Sequence, residues 1–149
     1  MEGGSHSLPY DGRIYIADTS AWAKASHPRI RDEWTEAMRR LQIATCPIVK
    51  LEMLYSAQNG EDSDRLDSLL GALRDVPITR SVTNAAIAGY RALAHRQPLY
   101  HRPIKFGDLL IAAAAQDAAV GVLHYDQHFD RLADALEFES RWIAPAGSL

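Results

Sequence analysis

The chain has 149 residues, 47% of them hydrophobic and 23% charged, the balance of an ordinary globular protein long enough to bury a core. Its longest uninterrupted apolar run, from Leu109 to Ala115, falls far short of the roughly 20 residues that cross a bilayer, so no membrane role is expected. A net charge of −3 argues at first against a nucleic-acid partner, but four of the acids form a candidate ion-binding set, and divalent cations held there would reverse the sign. The single cysteine, Cys46, excludes an internal disulfide, has no thiol partner for a zinc site, and reads as a packing residue in a reducing cytoplasm.

Residues 1–12 lack the apolar stretch of a signal peptide and read as a flexible tail ahead of a single domain over 13–149. A short β-rich run ending at a turn predicts a buried strand over 13–17, and Asp18, Thr19 and Ser20 are all competent caps for a helix over 21–25. Ile30, Trp34, Ala37, Met38 and Leu41 recur with helical period opposite an Arg/Glu face, which predicts a second helix. A strand over 42–46 follows, then a third helix opened by Pro47 and stopped by Asn59-Gly60. Leu66, Leu69, Leu70 and Leu73 mark a fourth helix, 76–79 a strand, and Ser81 the cap of a fifth helix carrying Ile87, Tyr90 and Ala94. Two prolines make 97–105 a loop. The stretch 106–119, apolar nearly all round, predicts a central helix; 121–125 and the segment 137–143 are the remaining strands. Short buried strands alternating with helices imply an α/β fold with a parallel sheet covered on both faces.

Four acids stand where an apolar element gives way to a turn or helix, or on an apolar helix side: Asp18 after IYIA, Glu52 within PIVKLEMLYSA, Asp108 opening DLLIAAAA, and Asp126 closing GVLHY. Unpaired carboxylates gathered against a core repel one another and cost several kcal/mol each to desolvate, a cost that divalent cations remove. Asp18 also suits a helix N-cap and Asp108 a helix first turn, so each alone has a structural explanation. Together they predict a carboxylate metal site holding one ion or two, at the carboxyl end of the sheet where α/β folds bind ligands. With no soft ligands in the set, Mg2+ or Mn2+ is expected rather than zinc.

Thr19, Ser20 and Asp130 are accessory candidates, the hydroxyls as hydrogen-bond donors and Asp130 as a fifth acid. His124 and His128 read as surface residues, with His128 a candidate for touching substrate. In the loop before Asp108, Arg102 and Lys105 are candidates for gripping the phosphates of a nucleic-acid substrate. Trp22, Trp34, Met38, Leu54 and Tyr55 supply more large apolar side chains than the core needs. Some of them are expected to line a groove for a partner segment.

The segments IYIADTSAW, CPIVKLEMLYSA, FGDLLIAAAAQ and VLHYDQHFDRLA, in this order and spacing, resemble the PIN-domain nucleases, and within them the VapC-type toxins of prokaryotic toxin–antitoxin pairs. The resemblance covers most of the chain from Arg13 to Ile143. It implies a PIN-like three-layer sandwich with a five-stranded parallel sheet flanked by helices. It also implies an Mg2+- or Mn2+-dependent endoribonuclease of tRNA or rRNA that inhibits translation, and usually a homodimer. The family's roles carry over to Asp18, Glu52, Asp108 and Asp126 as catalytic metal-site acids, assisted by Thr19 or Ser20. The implied partner is a small cognate antitoxin. The rival class is a signalling or non-catalytic α/β domain with a magnesium-binding acidic pocket, such as a receiver. That fold needs paired acids after its first strand, and here Asp18 stands alone. A haloacid-dehalogenase-like phosphatase needs a second Asp where Ser20 stands.

Overall fold

The computed structural model describes residues 12–149; apart from Gly12, the tail expected over 1–12 lies outside them. Five strands, β1 (Tyr15–Ala17), β2 (Ile43–Thr45), β3 (Arg74–Asp75), β4 (Gly121–His124) and β5 (Ser140–Trp142), form one sheet of order β3-β2-β1-β4-β5. Every pairing is parallel, with Ile16 opposite both Ala44 and Val122. The helices between them are α1 (Thr19–Trp22), α2 (Arg31–Arg39), α3 (Pro47–Tyr55), α4 (Gly60–Gly71), α5 (Arg80–Arg96), α6 (Phe106–Ala118) and α7 (His128–Leu132).

Alternation along the central strands divides the core in two. Ile16, Ala44 and Val122 face a cluster built with Val49, Leu93, Ile111 and Phe129, while Tyr15, Ala17, Ile43 and Leu123 face Ile30, Trp34 and Ala37. Both faces of the sheet are therefore covered, as the all-parallel arrangement demands. Helix α6 is the pivot: Ile111 through Ala115 are fully buried, so small alanines let it lie close to the sheet. Gly121 begins β4 because a Cβ there would lie 2.6 Å from the Tyr15 ring. Among the described residues no helix is long and apolar enough to cross a membrane.

Several local expectations shift. Asp18, not Thr19 or Ser20, caps α1, which therefore begins two residues earlier than expected. Asn59 does not stop α3, which already ends at Tyr55; its side chain accepts the Asp62 N–H and starts α4. Thr79 rather than Ser81 caps α5, through the Val82 N–H. β3 lies at Arg74–Asp75, before the run over 76–79, because the edge position is set by pairing with Ala44 and Thr45 and not by hydrophobicity. The short α7 was not expected at all; Arg131 in it holds the 97–105 loop by donating to the Tyr100 carbonyl and lying over the Tyr100 ring.

Candidate metal centre

The chain reverses its direction of travel across the sheet between β1 and β4: β2 and β3 lie on one side, β5 on the other. At such a switch point the segments leaving the two strands part, and a crevice opens at their carboxyl ends. Asp18 follows β1 directly and Asp126 follows β4 by two residues. Asp108 enters from the first turn of α6 and Glu52 from α3, which packs on both α6 and α1.

Ser20 joins the two strand ends. Its hydroxyl donates to Asp18 Oδ2 at 2.6 Å and accepts the Tyr125 N–H at 2.9 Å. The Ser20 N–H also donates to Asp18 Oδ2, at 3.0 Å, leaving Asp18 Oδ1 buried without a partner. Asp108 Oδ2 and Glu52 Oε1 are likewise buried and without hydrogen-bond partners. Asp18 and Asp108 are only 3% and 6% exposed, so these are desolvated carboxylates and not solvated surface acids.

The electrostatics bring all four acids into one field. Burial pushes the Asp108 carboxyl up to about 7, and Asp18, Asp126 and Glu52 push the same way against the opposing pull of Lys105. Burial also raises Asp18, with hydrogen bonds from Ser20 and Thr19 pulling back and Asp126 adding to the rise. Glu52 is raised by burial and then by Asp18, while Lys105 and the Thr19 hydroxyl oppose. Orphaned hard oxygens with mutual repulsion are what a divalent cation satisfies, so the residues fit Mg2+ or Mn2+.

A family model, the PIN domain, matches residues 15–135. The ribonuclease VapC18 of Mycobacterium tuberculosis is 39% identical over 136 residues, which span 91% of this chain and 99% of that protein. The chain belongs to the PIN-domain family, in its VapC branch. A second relative, ribonuclease VapC51 of the same organism, is 36% identical over 91% of this chain and 96% of its own length. Two crystal structures share the fold. DNA-bound VapBC from Salmonella typhimurium has a TM-score of 0.65 at 14% identity, covering 89% of this chain and 99% of that one. VapBC-5 of M. tuberculosis, described as a member of the VapBC family of toxin-antitoxin systems, has a TM-score of 0.58 at 19% identity, covering 87% and 98%.

Within this PIN domain the remaining candidates fall in different places. Lys105 stands exposed at the N-cap position of α6 without a capping hydrogen bond, and its charge reaches Asp108 and Glu52; Arg102 is exposed on the preceding loop. Asp130 is not free to act as a fifth acid. Its Oδ1 accepts from Ser140 Oγ at 2.7 Å and its Oδ2 from Trp142 Nε1 at 2.8 Å, so it clamps α7 to β5. His124 is no surface residue: it is fully buried, stacked on Phe129, with Nδ1 accepting the Asp126 N–H at 3.1 Å and Nε2 facing Ser140 Oγ at 2.7 Å. Since Nδ1 accepts, Nε2 carries the proton and donates, and burial holds the ring neutral by lowering its pKa to about 4. The strand itself was the missed signal, because every residue of a central parallel strand is enclosed. His128 lies beside the acids, its Nδ1 3.1 Å from Asp126 Oδ1.

Trp34 is 8% exposed and meets the Trp22 ring edge-to-face at 4.8 Å, so it belongs to the core and not to a groove. Trp22, Met38 and Leu54 are partly buried, while Tyr55 is 92% exposed, one helical turn from the exposed Leu51. Gly107 had no assigned role, yet a Cβ there would lie 2.8 Å from Glu52 Oε2. A glycine in the first turn of an otherwise strong helix is the signal that pointed to it.

Proposed function

We propose that this PIN domain is an Mg2+- or Mn2+-dependent endoribonuclease acting on tRNA or rRNA in the cytoplasm. In this reading it is the toxin of a toxin–antitoxin pair, and its activity inhibits translation. The observation that carries the reading is the set of three buried, partnerless carboxylate oxygens on Asp18, Glu52 and Asp108 at the carboxyl end of the sheet. Asp18, Asp108 and Asp126, with Glu52, are the residues that would hold the ion. When bound, such an ion supplies Lewis-acid charge to a phosphodiester and lowers the pKa of water that attacks it.

The protein's own contribution is preorganisation. Ser20 fixes Asp18 against the end of β4, and the fully buried His124 fixes the Asp126 backbone. Lys105 places positive charge close to Asp108 and Glu52, where an RNA phosphate must approach, and Arg102 is a second exposed cation on the same loop. A receiver-like reading gives Glu52 no role, whereas here its helix delivers it to the pocket.

The partner in this reading is a cognate antitoxin, supported by the toxin–antitoxin description of VapBC-5. Leu51 and Tyr55, exposed on one face of α3 with Leu54 beside them, are the apolar surface for an antitoxin segment. A homodimer belongs to the same reading. Incubating the purified protein with total cellular RNA, with EDTA and after restoring Mg2+ or Mn2+, tests it. Discrete cleavage that needs the divalent ion is expected; RNA left intact under every ion condition, or cut equally in EDTA, would contradict it.

A further inference from the structure

Asp108, Asp126 and His128 each offer one ligand atom, and the three atoms lie within 4.8 Å of one another. His128 opens α7, just beyond the turn in which its own N–H donates to Asp126 Oδ1 at 3.0 Å. That turn carries the imidazole back toward the acids. Its Nδ1 sits 3.1 Å from Asp126 Oδ1, is shielded from solvent, and makes no hydrogen bond of acceptable geometry. Across from it, the 6%-exposed Asp108 also holds an oxygen, Oδ2, with no partner. Buried polar atoms left without partners are rare, and a ring nitrogen that can give up its proton, set beside the Asp126 carboxylate and the orphaned Asp108 oxygen, completes the donor set of a mixed N/O cation site.

The donor types select among ions. Mg2+ prefers an all-oxygen shell and keeps most of its waters, so a ring nitrogen adds little to its binding. Imidazole binds transition metals better, and a shell still dominated by carboxylates is the kind that retains Mn2+. We propose that His128 is a nitrogen ligand of the acidic centre and makes it prefer Mn2+ to Mg2+. The inference rests on the acids' role as an ion-binding centre given above.

Mn2+ alone is the probe, added to the full-length protein at pH 7.5 without RNA. Pulsed electron paramagnetic resonance of the bound ion should show a nitrogen coupling in the wild type that His128→Ala lacks. Titration of the free-ion signal, with Mg2+ as competitor, should show His128→Ala weakening Mn2+ binding by ~10-fold or more, the scale seen when a metal-site partner is lost. Mg2+ binding should change much less. His128→Asp, which restores a charged oxygen donor, should abolish the coupling and shift preference toward Mg2+. Bound Mn2+ without nitrogen coupling in the wild type, or an unchanged Mn2+/Mg2+ ratio in His128→Ala, would overturn the proposal while leaving the acidic centre intact. If wild-type protein binds no Mn2+, or Asp108→Asn binds it as tightly, the centre itself fails and the proposal falls with it.

Discussion

The Glu52 carboxylate occupies the space where a side chain at Gly107 would begin: a Cβ there would lie 2.8 Å from Glu52 Oε2 and 3.4 Å from Ile48 Cγ2. The obstacle is the far end of a flexible side chain, so the helix tolerates the substitution and the acid moves. Gly107→Ala should therefore hold or raise the melting temperature, since alanine favours a helix by about 0.5–1 kcal/mol over glycine. RNA cleavage should fall by ~10-fold or more, because a small displacement of a positioned group costs rate on that scale or beyond. Thermal melts and cleavage rates on one preparation check both halves; activity equal to wild type would show that Glu52 is not needed where it lies.

The raised Asp108 carboxyl fixes a pH dependence for the metal-free protein. Its pKa is about 7 in the fold against 3.8 in the unfolded chain, so between those values the folded state binds the extra proton. Stability is then greatest below about 4 for this group and is lost as pH rises through about 7, with a slope of up to ~1.4 kcal/mol per pH unit. Asp18 and Glu52, also raised, act in the same direction. Urea unfolding in EDTA across this range should show Asp108→Asn gaining on the wild type as pH rises. A constant difference between the two would contradict the raised Asp108 carboxyl, which burial and then the neighbouring acids produce.

Adding the ion should invert that result. Mn2+ or Mg2+ held by these acids, as proposed above, should stabilise the folded chain by mass action, by about 2.7 kcal/mol at a hundredfold excess over Kd. The melting temperature should rise with ion concentration in the wild type and stay nearly flat in Asp108→Asn. Equal rises in both proteins would mean that the ion binds elsewhere.

His124 contributes the opposite sign. Its ring is held neutral by burial, with a pKa of about 4 in the fold against 6.5 when unfolded. The unfolded chain therefore takes up the proton first, and the stability due to the neutral ring is lost as pH falls from 6.5 toward 4. His124→Leu should remove that acid sensitivity while leaving the Asp126 N–H and the Ser140 hydroxyl short of partners, at a cost of about 1–3 kcal/mol near neutrality. Unfolding curves of the two proteins at pH 5 and 7.5 check this; an unchanged pH dependence in the variant would contradict the neutral-ring network.

The two apolar sites, on α2 and α3, should separate in effect. Trp34→Ala empties a core position and should destabilise by about 3–5 kcal/mol. Tyr55→Ala, at a 92%-exposed position, should leave the melting temperature unchanged and weaken binding of the cognate antitoxin by about 2 kcal/mol. Calorimetric titration with the antitoxin decides the second half, and wild-type affinity in Tyr55→Ala would move the docking surface away from α3.

The parallel sheet, its central helix and the convergence of the four acids were legible because each has a strong local signature: short β-branched runs, a long apolar stretch, and carboxylates where polar groups are costly. What stayed illegible depends on pairing across the chain. Nothing in DQHFD distinguishes a His128 ring turned toward Asp126 from a solvated one, or reveals that Asp130 is held by Ser140 and Trp142, because the partners of Asp130 arrive with β5. His124 was misplaced for the same reason: enclosure of β4 between β1 and β5 decides its burial, not its own polarity. The caps at Asp18, Asn59 and Thr79 competed with equally good neighbours, and backbone geometry chose among them.

In the proposed function the four acids act together on RNA, and one substitution tests their joint role directly. Asp108→Asn preserves size and the first turn of α6 while removing the charge that meets Asp18, Asp126 and Glu52. The rate of RNA cleavage in saturating Mn2+ is the measurement, with circular dichroism confirming the fold. A loss of at least ~10²-fold is expected, the scale of removing one strong electrostatic stabiliser. Cleavage by a correctly folded Asp108→Asn at the wild-type rate would contradict it.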